Sequence, residues 1–283
     1  MSKFFDDTQK ARHWTPQVPE TGRLDVVSVI DAIKQGETLT PDVAQASPTD
    51  KLEVELKNPE RDLIKISQSS TPLPAPAIEA YGSLRTRVMK LQASKGIRSV
   101  MLTSSMASEG KTLTSLNLAV SCARLQNLRI LLVDSDLRSR GLTRLLKIPE
   151  GPGLSDFLGG KIAADKTVLP TECENLFVLG AGSLNCQPAE LFASLRWPEY
   201  IAWASQSYGI VIVDGPPILS VSDAELISAG CDGVLIVVKA LSTPRDIFQE
   251  SVSRLDKRKL IGIVFNGIPS SRDRDYEYYG TAS

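Results

Sequence analysis

The residues best suited to chemistry lie in the stretch SSMASEGKT, residues 104–112. It follows the apolar run SVML and leads into a helical pattern, so a small polar turn joins a buried strand to a helix. Gly110, Lys111 and Thr112 match the end of the pattern GxxxxGK[ST], with Ser105 at the position of its first glycine. In such a loop, backbone N–H groups cradle phosphates, the lysine reaches the β- and γ-phosphates, and the threonine hydroxyl ligates Mg²⁺. The stretch predicts a phosphate-binding loop.

Three aspartates close two other apolar runs. Asp134 and Asp136 stand in RILLVDSDLRSR, and Asp214 stands in YGIVIVDGPP. Ligands of doubly wound sheets bind at the carboxyl ends of the strands, where these aspartates would lie. A single aspartate there often only caps the following helix. Three of them on two strands, beside a phosphate loop, favour Mg²⁺ and phosphate chemistry.

The elements that must position these residues are short apolar runs without alternation, typical of strands buried on both faces of a parallel sheet. The runs are RSVMLTS, RILLVDSD, LFVLGAG, GIVIVDGPP, GVLIVVKA and LIGIVFNG. One helix is predicted before them, in AIEAYGSLRTRVMKLQ. Others are predicted at about 111–125, 138–147, 188–207, 221–229 and 244–257. The pattern predicts an α/β fold with a doubly wound, mostly parallel sheet flanked by helices.

Composition excludes several classes of function. The net charge of the 283 residues is −1, which argues against a nucleic-acid partner. The single histidine, His13, makes histidine-based catalysis and histidine-ligated metals poor candidates. No apolar run approaches the length of a membrane span, and no signal-peptide core is present, so we expect a soluble, cytoplasmic chain. The cysteines lack CxxC spacing and are expected to be reduced; they are Cys122, Cys173, Cys186 and Cys231.

Five motifs occur in a fixed order: SSMASEGKT, LLVDSDLRSRGL, GLSDFLGG, QPAELFASLR and IVIVDGPP. Together they resemble the bacterial tyrosine autokinases of polysaccharide synthesis and export, the BY-kinases of the CpsD/CapB type in the P-loop NTPase superfamily. The resemblance extends from about Glu79 to the C-terminus. It implies a MinD/ParA-like P-loop fold that uses ATP and Mg²⁺.

The resemblance also implies a role for each matching residue. Catalytic roles fall to Lys111, Asp134, Asp136 and Asp214. Nucleotide contacts fall to Ser108, Glu109, Gly110, Lys111, Thr112, Leu113 and Arg138. Metal ligation, direct or through water, falls to Thr112, Asp136 and Asp214. Asp134 is our candidate for activating the attacking hydroxyl, and Arg140 would lie near the phosphates or a neighbouring subunit.

Three of the six tyrosines, Tyr276, Tyr278 and Tyr279, lie in the charged C-terminal stretch SSRDRDYEYYGTAS. Tyrosine normally buries its ring, but this stretch has no apolar partner for a core, so we expect the rings to be exposed. The resemblance implies that these tyrosines are the autophosphorylation sites. The expected division of the chain is a flexible or partner-docking region at 1–75, a P-loop kinase domain at 76–270, and a tyrosine-rich tail at 271–283.

The family carries a helix of the form ExxRxxR that is used in subunit contact. Here it reads EAYGSLR: Glu79 and Arg85 match, but Gly82 replaces the middle arginine. The resemblance therefore implies a homo-oligomer whose ring assembly is altered or uses Arg87 instead.

The expected function is ATP-dependent autophosphorylation between subunits that regulates polysaccharide synthesis or export. The implied partners are a membrane-bound polysaccharide co-polymerase that activates the kinase and holds it at the inner face of the membrane, and a counteracting tyrosine phosphatase. One alternative is a MinD/ParA-like regulatory ATPase, although Met106 occupies the position of that group's extra lysine. The other is a non-catalytic nucleotide-binding scaffold of the same polysaccharide system.

Overall fold

Seven strands form one sheet in a computed structural model that describes residues 63–66, 73–183 and 187–268. The strands are β1 Ser99–Ser104, β2 Ile130–Asp134, β3 Leu169–Pro170, β4 Leu176–Leu179, β5 Ile210–Asp214, β6 Gly233–Lys239 and β7 Leu260–Asn266. Their order is β3-β4-β2-β5-β1-β6-β7. Only β3 and β4 pair antiparallel, and every other neighbouring pair is parallel. The predicted mostly parallel sheet is confirmed.

Helices cover both faces of this sheet. They are α1 Ala75–Lys95, α2 Lys111–Ala123, α3 Gly141–Leu145, α4 Leu154–Leu158, α5 Pro188–Phe192, α6 Arg196–Ser207, α7 Asp223–Gly230 and α8 Arg245–Ser253. Successive residues of β2 enter two different apolar clusters: Leu131 packs with the fully buried Trp197 of α6, and Leu132 packs with Leu116 of α2. Because both faces of the strand are buried, its sequence shows no alternation.

Two predicted helices differ from the structure. The helix predicted at 138–147 is only the short α3, because Arg140 has a left-handed φ of 50° and Asp136 accepts the Ser139 N–H in a tight turn before it. The helix predicted at 188–207 is divided into α5 and α6. Pro198 has no N–H and would clash inside one continuous helix, whereas it fits the first turn of α6.

Two isoleucines of the predicted N-terminal region pack against the domain. Ile64 forms a parallel bridge with Thr171 beside β3, and both Ile64 and Ile66 are buried in the cluster on the α1–α2 face. The rest of that region up to residue 62, and the predicted tail tyrosines, lie outside the described residues. Among the helices of the described ranges, none has both the length and the apolar character needed to cross a bilayer.

Candidate active site

The phosphate loop joins β1 to α2 through two residues with left-handed backbone. Ser108 has a φ of 65° and Gly110, the N-cap of α2, a φ of 92°. Only glycine fits position 110 without strain, because a Cβ there would also overlap the side-chain amide of Asn266. The loop thus ends at a helix N-terminus, where free N–H groups and the helix dipole favour a phosphate.

Lys111, the first residue of α2, lies buried among carboxylates. Its Nζ is 3.1 Å from Asp136 Oδ2 and 3.4 Å from Thr112 Oγ1. Burial alone lowers the pKa of Lys111, but the charges of Asp214 and Asp136 outweigh it, so the pKa is raised and the side chain stays cationic. A protonated lysine beside the loop is the cation that a triphosphate requires.

Asp134 and Asp214 stand opposite each other where β2 and β5 end. Asp134 Oδ2 accepts hydrogen bonds from the Thr143 N–H at 2.7 Å and the Thr143 hydroxyl at 2.6 Å. Asp214 Oδ1 accepts one from the Ser115 hydroxyl at 3.1 Å. The other oxygen of each carboxylate, Asp134 Oδ1 and Asp214 Oδ2, is buried with no hydrogen-bond partner.

Burial makes it unfavourable for these carboxylates to be ionised. Burial, and then the charge of Asp214, raises the pKa of Asp134 to about 7, although both hydrogen bonds from Thr143 oppose the shift. Burial also raises the pKa of Asp214, and the positive charge of Lys111 works in the opposite direction. A cation added at this edge of the sheet would relieve both effects.

The arrangement fits Mg²⁺. Asp214 Oδ2 is a buried, hard oxygen without a hydrogen-bond partner, and the Asp136 carboxylate and the Thr112 hydroxyl both lie next to Lys111 Nζ. Within the described ranges, no three carboxylate, cysteine or histidine side chains are grouped so that they alone could hold an ion. Mg²⁺ usually keeps several waters and takes further oxygens from phosphates.

Other predicted site residues differ in their exposure and contacts. Arg138 forms a two-pronged ion pair with the buried Asp223 at the start of α7, with its Nε 2.8 Å from Oδ2. Leu113 is exposed on the first turn of α2. Glu109 is buried, and its carboxylate contacts other protein groups. The half-buried Arg140 has an Nε without a hydrogen-bond partner, beside the site.

Sequence reasoning missed the residues that hold the aspartates, the loop and Arg138. None of them belongs to a recognisable motif. Ser115 and Asp223 are far in sequence from their partners Asp214 and Arg138, and Thr143 is separated from Asp134 by an irregular turn. Thr243 is another such residue, 134 positions from its partner Glu109. Only the rule that a buried polar group needs a partner could have indicated that such residues exist.

The helix with the EAYGSLR motif is α1. Glu79 is exposed, and a Cβ at Gly82 would meet no atom within 4 Å. Arg85 donates from Nη1 to the Ser121 carbonyl of its own chain at 2.9 Å, so this arginine ties α1 to α2.

Comparison with known proteins gives several similar chains. The tyrosine-protein kinase YwqD of Bacillus subtilis is 34% identical over 206 residues, which cover 72% of this chain and 86% of that protein. The chain belongs to the bacterial tyrosine-protein kinases. The kinase CpsD of Streptococcus pneumoniae is 31% identical over 77% of this chain and 95% of its own length. The kinase Wzc of Salmonella typhi is 36% identical over 72% of this chain but only 29% of its own length.

Solved structures support this membership in the bacterial tyrosine kinases. The kinase domain of the Escherichia coli tyrosine kinase ETK matches with a TM-score of 0.64 and 29% identity, covering 68% of this chain and 76% of that chain. The chimerical protein CapA2B2 matches with a TM-score of 0.63 and 28% identity, covering 72% and 88%. No protein-family model matches the chain. Membership in a tyrosine kinase family favours the kinase over the MinD/ParA-like switch.

Proposed function

We propose that this tyrosine kinase transfers the γ-phosphate of ATP to Tyr276, Tyr278 and Tyr279 of a neighbouring copy, and so regulates polysaccharide synthesis or export. One observation carries the proposal: a buried lysine–aspartate pair lies beside two facing aspartates, each with an unpartnered oxygen, at the end of a phosphate loop. That constellation is suited to a triphosphate with its metal.

The residues of the phosphate loop and the aspartates have separate roles in binding the nucleotide and its metal. The N–H groups around Gly110 bind the phosphates, and the protonated Lys111 offsets the charge of the β- and γ-phosphates. Thr112, Asp136 and Asp214 would hold Mg²⁺, which supplies charge neutralisation across the terminal phosphates when it is bound.

The transfer itself needs a base. The tyrosine Oη bonds to the γ-phosphorus, the bond from that phosphorus to the β–γ bridging oxygen breaks, and ADP leaves with that electron pair. The phenolic proton passes to Asp134, whose pKa of about 7 suits it to accept a proton near neutral pH. Thr143 holds Asp134 with its other oxygen available for this contact.

The length of the tail limits how far the acceptor tyrosines can reach. Tyr276 lies ten positions after Asn266, the last residue of β7. Fully extended, ten residues span at most about 35 Å. Each phosphotyrosine adds about −1.5 to −2 charges to a stretch that already holds Asp273, Asp275 and Glu277. Repulsion from the aspartate-lined site would then expel the product tail.

Partners follow from this chemistry and from the relatives. One relative is named as a putative tyrosine-protein kinase in the cps region of Klebsiella pneumoniae. We propose that a membrane-bound polysaccharide co-polymerase recruits and activates the chain at the inner face of the membrane. A phosphotyrosine ester does not reverse by itself, so a tyrosine phosphatase would reset the tail.

The test is mass spectrometry of the full chain after incubation with ATP and Mg²⁺. We expect phosphate on the tail tyrosines of the wild type, and none in Lys111→Met or in the triple variant Tyr276→Phe, Tyr278→Phe and Tyr279→Phe. Lys161→Met, which changes an exposed lysine away from the phosphate loop, is the matched control and should behave as the wild type. A wild type that binds ATP but gains no phosphate, even with a membrane activator, would favour the non-catalytic scaffold.

A mixing experiment tests transfer between subunits. The Lys111→Met chain keeps its tail but lacks the lysine, and the triple tyrosine variant keeps the lysine but lacks acceptors. Transfer between copies predicts phosphate on the Lys111→Met chain only when the two are mixed. If that chain stays unmodified while the wild type is phosphorylated, transfer occurs within one chain.

A further inference from the structure

A buried carboxylate lies inside the phosphate loop, where it would be expected to repel the ligand. Glu109 is 3% exposed. Its described partners are uncharged: Oε2 accepts the Met106 N–H at 2.8 Å, and Oε1 accepts the hydroxyl of Thr243. Both oxygens are therefore engaged by the protein. A negative charge so placed is unsuited to bind phosphate, so the side chain of Glu109 must serve another purpose.

The two partners of Glu109 belong to different parts of the fold. Met106 lies at the start of the same loop, so this contact closes the loop on itself. Thr243 lies in the loop after β6, where its hydroxyl also accepts the Lys239 N–H at 3.1 Å. The carboxylate thus joins the phosphate loop to the end of β6, next to β1 in the sheet.

A third contact fixes the same residue from the end of β7. Asn266 donates from Nδ2 to the backbone carbonyl of Glu109 at 3.0 Å, and its Oδ1 accepts the Gly267 N–H. Glu109 is therefore held by its side chain and by its backbone. It lies between Ser108 and Gly110, whose left-handed conformations must be stabilised by their surroundings.

We propose that Glu109, Thr243 and Asn266 form a latch that keeps the phosphate loop in its nucleotide-binding shape before the nucleotide arrives. Thr243 is a positioning residue in this latch: it acts through Glu109 and contacts no phosphate. The proposal rests on the proposed function, because it concerns the same nucleotide site. It reassigns the side chain of Glu109 from nucleotide ligand to support of the loop, and leaves its N–H free to bind phosphate.

The latch also connects the nucleotide site to β7, the strand that precedes the C-terminal tail. Asn266 is the last residue of β7, and the tail tyrosines follow it in sequence. A displacement of Asn266 would remove the hydrogen bond to Glu109, and with it one of the groups that keep the loop shaped for a phosphate.

The first test compares Thr243→Val with Thr243→Ser in the full chain, using calorimetric titration with MgADP and initial rates at varied ATP. Loss of a hydrogen bond to a charged group should raise the Kd for MgADP and the KM for ATP about tenfold, with kcat within about twofold. Thr243→Ser keeps the hydroxyl and should restore both values. Ser242→Ala, an exposed neighbour in the same loop, should leave both unchanged.

A double-mutant cycle isolates the latch from a general loss of stability. If Thr243 acts only through Glu109, then Glu109→Ala combined with Thr243→Val should weaken MgADP binding no more than Glu109→Ala alone. Additive losses would overturn the proposal, and so would a Thr243→Val chain with wild-type affinity or with a loss in kcat only. A wild type that fails to bind MgADP would instead refute the proposed function.

Discussion

Asp134 and Asp214 end two adjacent parallel strands in the same register, so their buried carboxylates face each other. Each is held through one oxygen, by Thr143 or by Ser115, and each leaves the other oxygen without a partner. Two such carboxylates destabilise the folded chain when both are charged. A bound cation would therefore stabilise the pair, and without one the two carboxylates lower the free energy of unfolding.

Asp134→Asn should stabilise the metal-free protein at pH 8 and much less at pH 5. Burial and the charge of Asp214 raise the pKa of Asp134 to about 7, above about 3.9 for an exposed aspartate. The folded state therefore binds this proton more tightly than the unfolded chain, and wild-type stability falls as pH rises from about 4 to about 7. Asparagine carries no such charge and should avoid a loss on the order of 4 kcal/mol, which corresponds to a shift of about three pKa units.

Guanidinium unfolding in EDTA at the two pH values measures this difference. Asp165→Asn, on an exposed side chain paired with Lys166, is the control and should show little dependence on pH. An Asp134→Asn chain that gains equally at both pH values would show that Asp134 is already ionised at pH 5.

Asp136→Asn should lower autophosphorylation about 100-fold while the chain stays folded. The change removes the charge 3.1 Å from Lys111 Nζ and one proposed metal ligand, and loss of one preorganised electrostatic group typically costs 10² to 10³ in rate. The measurement is the initial rate of tail phosphorylation at saturating ATP. Asp246→Asn, an exposed residue of α8, should keep the wild-type rate. A wild-type rate for Asp136→Asn would show that Asp136 has no role in the transfer.

The sheet and the position of the site could be predicted because their signals are local. Apolar runs such as RILLVDSD are continuous, since both faces of each strand are buried, and the aspartates lie immediately after those runs. The glycine, lysine and threonine of the phosphate loop are consecutive. Parallel order then brings all these strand ends to one edge, as the pairing of Asp134 with Asp214 shows.

The supports of the site could not be predicted because they depend on contacts far apart in sequence. Glu109 meets Thr243 across 134 positions and Asn266 across 157. Neither partner has a pattern that distinguishes it from an ordinary turn residue. The division of α5 from α6 is different, because a local residue, Pro198, indicates it. The spacing of the apolar residues around Pro198 nevertheless favours one continuous helix.

Gly82→Ala should stabilise the protein by about 0.5–1 kcal/mol. Gly82 lies within α1, and an added Cβ meets no atom within 4 Å, so alanine gains helix propensity at no steric cost. Gly96→Ala is the opposing control. Gly96 ends α1 with a left-handed φ of 68°, and alanine there should destabilise by about 1 kcal/mol. Thermal unfolding compares the two, and a neutral Gly82→Ala would mean that α1 frays at this point.

Ile66→Ala should destabilise the kinase domain by about 2–4 kcal/mol. Ile66 lies outside the region of family resemblance, yet it is 3% exposed and packs in the cluster that contains Leu84 and Val88 of α1. Its burial indicates that Ile66 contributes to the apolar core on the α1–α2 face of the sheet.

Leu63→Ala is the matched control for Ile66→Ala. Leu63 is 53% exposed, so its loss should change the free energy of unfolding by less than about 0.5 kcal/mol. Guanidinium unfolding of the full chain measures both variants. Equal, small effects would show that residues 63–66 do not stay on the sheet edge in solution. A large effect of Ile66→Ala alone would mean that this segment stays packed beside the edge strand β3 in solution, as the contact of Ile64 with Pro170 and Thr171 indicates.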